Sequence, residues 1–256
     1  MNINSNLIEE QLLSINKILA IYEKINKMDK SLEYLYPIAI VEDNSFFVFD
    51  LDISGKHYEY KKNFLSRMSL PNGILAAFPL EGYEGKMAAV VTHKAFDDME
   101  SIISIFHEFV HCFQYYQYEM KIKGTLTIAQ EAEKMQDYMW ELNYPFPYNN
   151  EEFIEKTIEI NNGYDIGSYQ KEMKTTLNEK EFEYMIWQEW KEGYARYIEN
   201  IIREKIGINK NSKLLKPPFD RVCFYEIGSK YIETLISRNH ELKNNLEKIF
   251  YEIKNC

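Results

Sequence analysis

Asp97-Asp98-Met99-Glu100-Ser101-Ile102-Ile103-Ser104-Ile105-Phe106-His107-Glu108-Phe109-Val110-His111 is the stretch from which the fold is read. Acidic residues stand where a helix would open, favoured there by the helix dipole, and an apolar stripe follows. Continuing that helix puts His107 and His111, four residues apart, on one face, close enough for both imidazoles to hold one metal ion. Neutral imidazole suits Zn²⁺, and Glu108, one step round the helix, can reach a water on the ion rather than the ion itself.

A catalytic zinc needs a third protein ligand from another element and one open position. The stretch Trp187-Gln188-Glu189-Trp190-Lys191-Glu192-Gly193-Tyr194-Ala195-Arg196-Tyr197-Ile198-Glu199 supplies a candidate. It has helical periodicity, with apolar residues at Ile186, Trp190, Tyr194, Tyr197, Ile198 and Ile201. Glu192 is the expected ligand, with Glu189 and Glu199 as alternatives. Gly193 in mid-helix costs up to ~1 kcal/mol relative to Ala, so a close packing partner is expected, and the helix carrying His107 and His111 would supply one.

The pair of motifs, His-Glu-x-x-His and Glu-Gly-Tyr-Ala-x-Tyr-Ile-Glu, resembles the gluzincin metallopeptidases. The second motif is most similar to that of the zinc aminopeptidases related to alanyl aminopeptidase. The resemblance implies Zn²⁺ ligands at His107, His111 and Glu192 and a general base at Glu108. It also implies an oxyanion donor on a later helix, for which Tyr225 is the candidate in Phe224-Tyr225-Glu226-Ile227-Gly228-Ser229-Lys230-Tyr231, with Tyr231 and Tyr194 behind it. Roughly eighty residues separate His111 from Glu192, which implies a large insertion between the motifs. The nearest match to the family's amine-binding segment, Gly85-Lys86-Met87-Ala88-Ala89, lacks the acidic residue, so cleavage inside peptides is expected rather than N-terminal trimming. Arg196 stands where thermolysin-like enzymes keep an Asp.

The implied fold class is α+β and zincin-like: a single catalytic domain over 1–256, with an α+β part (1–96) bearing a small sheet and a mainly helical part (97–256) containing the metal site. Strands are expected at Phe46–Asp52, Ile74–Phe78 and Met87–Thr92, each short and bounded by Gly, Pro, Asn or Asp. Met87–Thr92 stands where zincins place the edge strand that pairs with substrate, although an ordinary buried strand fits the sequence equally well. An N-terminal helix carries an apolar face of Leu12, Ile15, Ile18, Leu19, Tyr22 and Ile25. After His111 the pattern is helical, broken at Asn143–Tyr148, Asn161–Gly163 and Lys216–Phe219. The Tyr144–Tyr148 loop is a candidate cover for the site.

Among 256 residues the formal charge is -10, the sequence pI is near 5.2, and Lys and Arg form no stripe, which disfavours nucleic acid or an anionic membrane as partner. A peptide or protein substrate fits better. No apolar run reaches the ~20 residues of a membrane span and no secretory signal is evident, so the expected location is cytoplasmic. Cys112, Cys223 and Cys256 form no disulfide framework. Cys112 reads as a core thiol, His57 and His240 as surface residues, His93 as a remote candidate for the site, and Gln114 and Tyr115 as possible supports for the ligands. The expected activity is zinc-dependent peptide hydrolysis. The alternatives are an inactive zincin scaffold that binds a partner, and a zinc hydrolase of a non-peptide amide.

Overall fold

The computed structural model describes residues 5–67 and 69–255; Cys256 lies outside them. The architecture is α+β, and the chain forms two compact units, one of residues 1–116 with 205–207, the other of 117–204 with 208–256. No helix among the described residues is long and apolar enough to cross a membrane.

The first unit opens with α1 (Ser5–Ile25), which buries Ile15, Ile18, Ile21 and Ile25 on one stripe. Five strands follow: β1 (Ile38–Glu42), β2 (Ser45–Leu51), β3 (Tyr58–Leu65), β4 (Leu75–Leu80) and β5 (Lys86–Thr92), in the order β3-β2-β1-β5-β4. β1 and β2 are joined by the two-residue turn Asp43-Asn44, both at positive φ, as a tight hairpin requires. β2–β3 and β4–β5 are antiparallel, whereas β1 and β5 run parallel. One face of the sheet buries Ala39, Phe46, Val48, Leu80, Tyr83, Ala88 and Val90. The alternate residues of β5, Met87, Ala89 and Val91, are buried on the other face, and α2 (Met99–Gln114) packs on β4 and β5.

The expectation that Met87–Thr92 is an edge strand is overturned. β5 lies inside the sheet, paired on both sides, which explains why its residues Met87–Val91 are all buried. β4 is the edge. Ala89 N donates to Pro37 O and Met87 N to the Tyr116 hydroxyl, so alternate residues of β5 face away from β4. By the antiparallel register their partners Ala77 and Pro79 direct their backbone groups to the open side of β4. Pro79 is accommodated there because that position needs no ladder donor.

The second unit is helical: α3 (Met120–Lys123), α4 (Thr127–Met135), α5 (Trp140–Asn143), α6 (Glu151–Glu159), α7 (Ile166–Thr176), α8 (Glu179–Lys205), α9 (Cys223–Arg238) and α10 (Leu246–Lys254). α8 is buried on nearly every side, and along it Lys191, Glu192, Arg196, Glu199 and Arg203 all stand in ion pairs. Lys191 bonds Glu119 at 3.1 Å and Glu141 at 2.8 Å, while Lys123 bonds the same two carboxylates and both amines lie over the Trp187 ring. Burial alone would raise the pKa of Glu141, but Lys191 and Lys123 together hold it at about 2. Further along, Arg196 and Arg203 donate to the backbone oxygens of Asn211 and Asn209, clipping the stretch after α8 to the helix.

Gly193 has its close partner, but it is not the helix that carries the histidines. A Cβ on Gly193 would lie 2.6 Å from Gly228 of α9, and a Cβ on Gly228 would lie 2.2 Å from the carbonyl oxygen of Glu189. Two glycines thus let the backbones of α8 and α9 touch. In the Tyr144–Tyr148 loop, Tyr144 stacks on Tyr184 and Phe146 packs against Phe153 and Phe224. Phe146 is buried, while Tyr144 and Tyr148 are half-buried.

Candidate metal centre

α2 begins where the acidic residues predicted it. Asp98 is the N-cap, its carboxylate accepting from Ser101 N at 2.7 Å, and Glu100 sits in the first turn. Ile102, Ile103, Ile105, Phe106, Phe109 and Val110 then bury the helix, and the last two turns carry His107, Glu108 and His111, each only 6 % exposed. The two imidazoles face each other at 4.8 Å between ring centroids. Beyond Gln114 the helix widens into a π-helical turn, Tyr115–Glu119, a distortion frequent at functional sites.

His111 Nδ1 lies 2.8 Å from the oxygen of fully buried Gln114. An amide oxygen can only accept, so Nδ1 is the donor of this bond, and Nε2 is the ring nitrogen left to bind a metal. That is the support a metal-binding imidazole requires, and it sits where the sequence placed it. Tyr115 is half-buried and packs against Tyr116.

His107, His111 and Glu192 form a buried group whose ligand atoms all lie within 4.8 Å of one another, and such a group can hold a metal ion. Two neutral imidazoles and one carboxylate are the donor set of borderline divalent cations, and three ligands leave a coordination position open. The alternatives to Glu192 are committed elsewhere. Glu199 accepts from Arg203 at 3.0 Å and forms an ion pair with Arg196 at 3.3 Å. Glu189 is fully buried beside Gln170, whose amide donates to it; burial pushes its carboxyl up to about 8, an effect this hydrogen bond only partly offsets.

Sequence reasoning missed Arg221, whose Nη1 donates to Glu192 Oε1 at 2.6 Å. Burial works against its charge, but the Glu192 carboxylate more than compensates and keeps the guanidinium charged. The stretch between α8 and α9 that holds Arg221 has no periodicity to read, so only the structure reveals it. Arg221 and Arg196 both lie over the Tyr225 ring, at 5.6 and 5.5 Å. Tyr225 is half-buried, whereas Tyr194 and Tyr231 are enclosed in the core. Cys112 is a buried free thiol, and His57, His93 and His240 are exposed, so none of the three joins the group.

In comparisons with known proteins, no family model, no curated protein and no solved structure matches this chain.

Proposed function

We propose that the chain is a zinc metallopeptidase with a zincin-like fold of gluzincin type, in which His107, His111 and Glu192 hold one Zn²⁺. The observation that carries this reading is the buried His-His-Glu group with a further carboxylate, Glu108, in the turn between its two histidines. Zinc, when bound, supplies Lewis acidity and brings the pKa of a coordinated water down to ~7. Glu108 takes the proton of the attacking water and passes it to the leaving amine. The Tyr225 hydroxyl donates to the oxygen that becomes negative as the carbonyl is attacked, steadied by the guanidinium groups over its ring. An extended substrate pairs with the open side of β4 at Ala77, a role the sequence had suggested for β5.

Retention of a base that a structural metal site does not need favours hydrolysis over an inactive binding scaffold. The test is metal analysis of the purified protein together with digestion of a mixed peptide pool by wild type, Glu108→Gln and His111→Ala. Glu108→Gln should keep the metal and lose most activity, and His111→Ala should lose both. Glu108→Gln cutting as fast as wild type would remove the base role. Wild type that binds no zinc would remove the whole reading.

A further inference from the structure

Arg221 is fastened by one nitrogen. Nη1 makes the 2.6 Å bond to Glu192 Oε1 and lies 3.4 Å from Gln188 Oε1, while the guanidinium rests over the Tyr225 ring. Among the described residues no acceptor meets Nε or Nη2, and the side chain retains 27 % exposure. The Nε–Nη2 edge is one whose two parallel N–H groups match the two oxygens of a carboxylate. An exposed arginine gives up to ~2 kcal/mol of rotamer freedom when it grips a ligand, but here the ion pair and the ring have already ordered the side chain.

Charge points the same way. With a divalent ion in place and neutral imidazoles, Glu108, Glu192 and Arg221 leave the group with one net positive charge, which one substrate carboxylate balances. We propose that Arg221 is a substrate-carboxylate receptor, so that the peptides preferred here carry a carboxylate beside the bond to be cut. The proposal rests on the peptidase reading for its setting, but the receptor can be tested by binding alone. The carboxylate has two possible sources, the C-terminus of a short peptide or an Asp or Glu side chain within a longer one.

The experiment is calorimetric titration of zinc-loaded Glu108→Gln protein, which cannot turn its ligand over, with N-acetyl-trialanine as the free acid, as the C-terminal amide, and as an amide with Glu at its second position. The same titrations are repeated on metal-free protein and on Arg221→Lys and Arg221→Gln. At least one carboxylate-bearing peptide should bind tenfold or more tightly than the neutral amide, and which one does so identifies the source. Arg221→Gln should abolish the preference and Arg221→Lys, which keeps the charge but not the fork, should restore part of it. Equal binding of all three peptides by protein that retains Arg221 overturns the proposal, and so does a preference that survives in Arg221→Gln. Protein that takes up no zinc yet prefers the carboxylate through Arg221 sinks the peptidase reading and leaves the receptor standing. Zinc-loaded protein whose wild type cuts all three alike and whose Glu108→Gln variant binds them alike sinks the receptor and leaves the peptidase.

Discussion

Gly228→Ala sets two physical effects against each other, and the structure decides between them. In an isolated helix the change is favourable by up to ~1 kcal/mol, because alanine loses less backbone freedom than glycine. In α9 the new methyl would stand 2.2 Å from the carbonyl oxygen of Glu189 and 2.7 Å from its Cα, where ordinary contact begins near 3.4 Å. The obstacle is backbone and cannot rotate away, so α8 and α9 must part by about an ångström along a buried seam. Overpacking of this kind costs roughly 1–3 kcal/mol, and a collision with main chain belongs at or above the top of that range, leaving a net loss of about 2 kcal/mol. For a protein of this size the midpoint of thermal unfolding should fall by roughly 4–8 °C. Because α8 carries Glu192, metal affinity should fall with it. Calorimetric or circular-dichroism melts of Gly228→Ala beside Gly167→Ala provide the assay. The control faces only the end of the Asp165 side chain, at 3.2 Å, and should be neutral or slightly stabilised. A Gly228→Ala protein that melts at or above the wild-type temperature would show that the helices are not in backbone contact.

Replacing Gln114 by Met keeps the volume but removes the acceptor beside His111 Nδ1, and metal affinity should drop about 10- to 100-fold in a chelator competition; an unchanged affinity would exclude a supporting role for Gln114. Glu189 has a folded pKa of about 8 against an ordinary 4.5, so the folded state holds a proton that the unfolded chain releases. Stability contributed by this group is therefore intact below about pH 4.5 and lost as pH rises through 8, by an order-of-magnitude 5 kcal/mol in total. Glu189→Gln should flatten the alkaline side of the stability profile in urea melts, and a profile parallel to wild type would refute the burial argument. N-terminally acetylated peptides should be cut about as fast as free ones, because the amine-binding carboxylate of the resembling aminopeptidases has no counterpart at Ala88; strict dependence on a free amine in a paired assay would reverse this.

How much of this was legible depended on whether a residue's task leaves a periodic trace. The helix of His107 and His111 was legible from its acidic start and apolar stripe, and Glu192 from its place beside Gly193 in a long buried helix. β2, β4 and β5 were legible because each is an apolar run between turn residues. β3 was missed because it is a sheet edge whose Glu59, Lys61 and Lys62 dilute the apolar signal, and β1, although bounded by Pro37 and Asp43-Asn44, because its apolar run is only four residues long. For β5 the sequence left an edge and a buried position equally open, since neighbour order is set by which strands meet and not by the composition of one. Gly193 signalled a close contact correctly, but a glycine does not say with what. Arg221 left no trace because one charged residue in an aperiodic stretch looks like any solvated loop.

The parallel pairing of β1 with β5 bears on how this sheet is assembled in time. β1–β2 and β4–β5 are hairpins whose partners are near neighbours in sequence, so each can close quickly on its own. Ile38–Val41 and Ala89–Thr92 are about fifty residues apart, and their ladder can form only after the loop between them has been closed at an entropic cost. That ladder joins the two halves of the sheet, and α2 packs on β4 and β5. Weakening it, for instance by Ala39→Gly, should therefore slow folding more than an equally destabilising change at the outer edge of β3, and the histidines of α2 should gain their fixed geometry only in the last, slowest step.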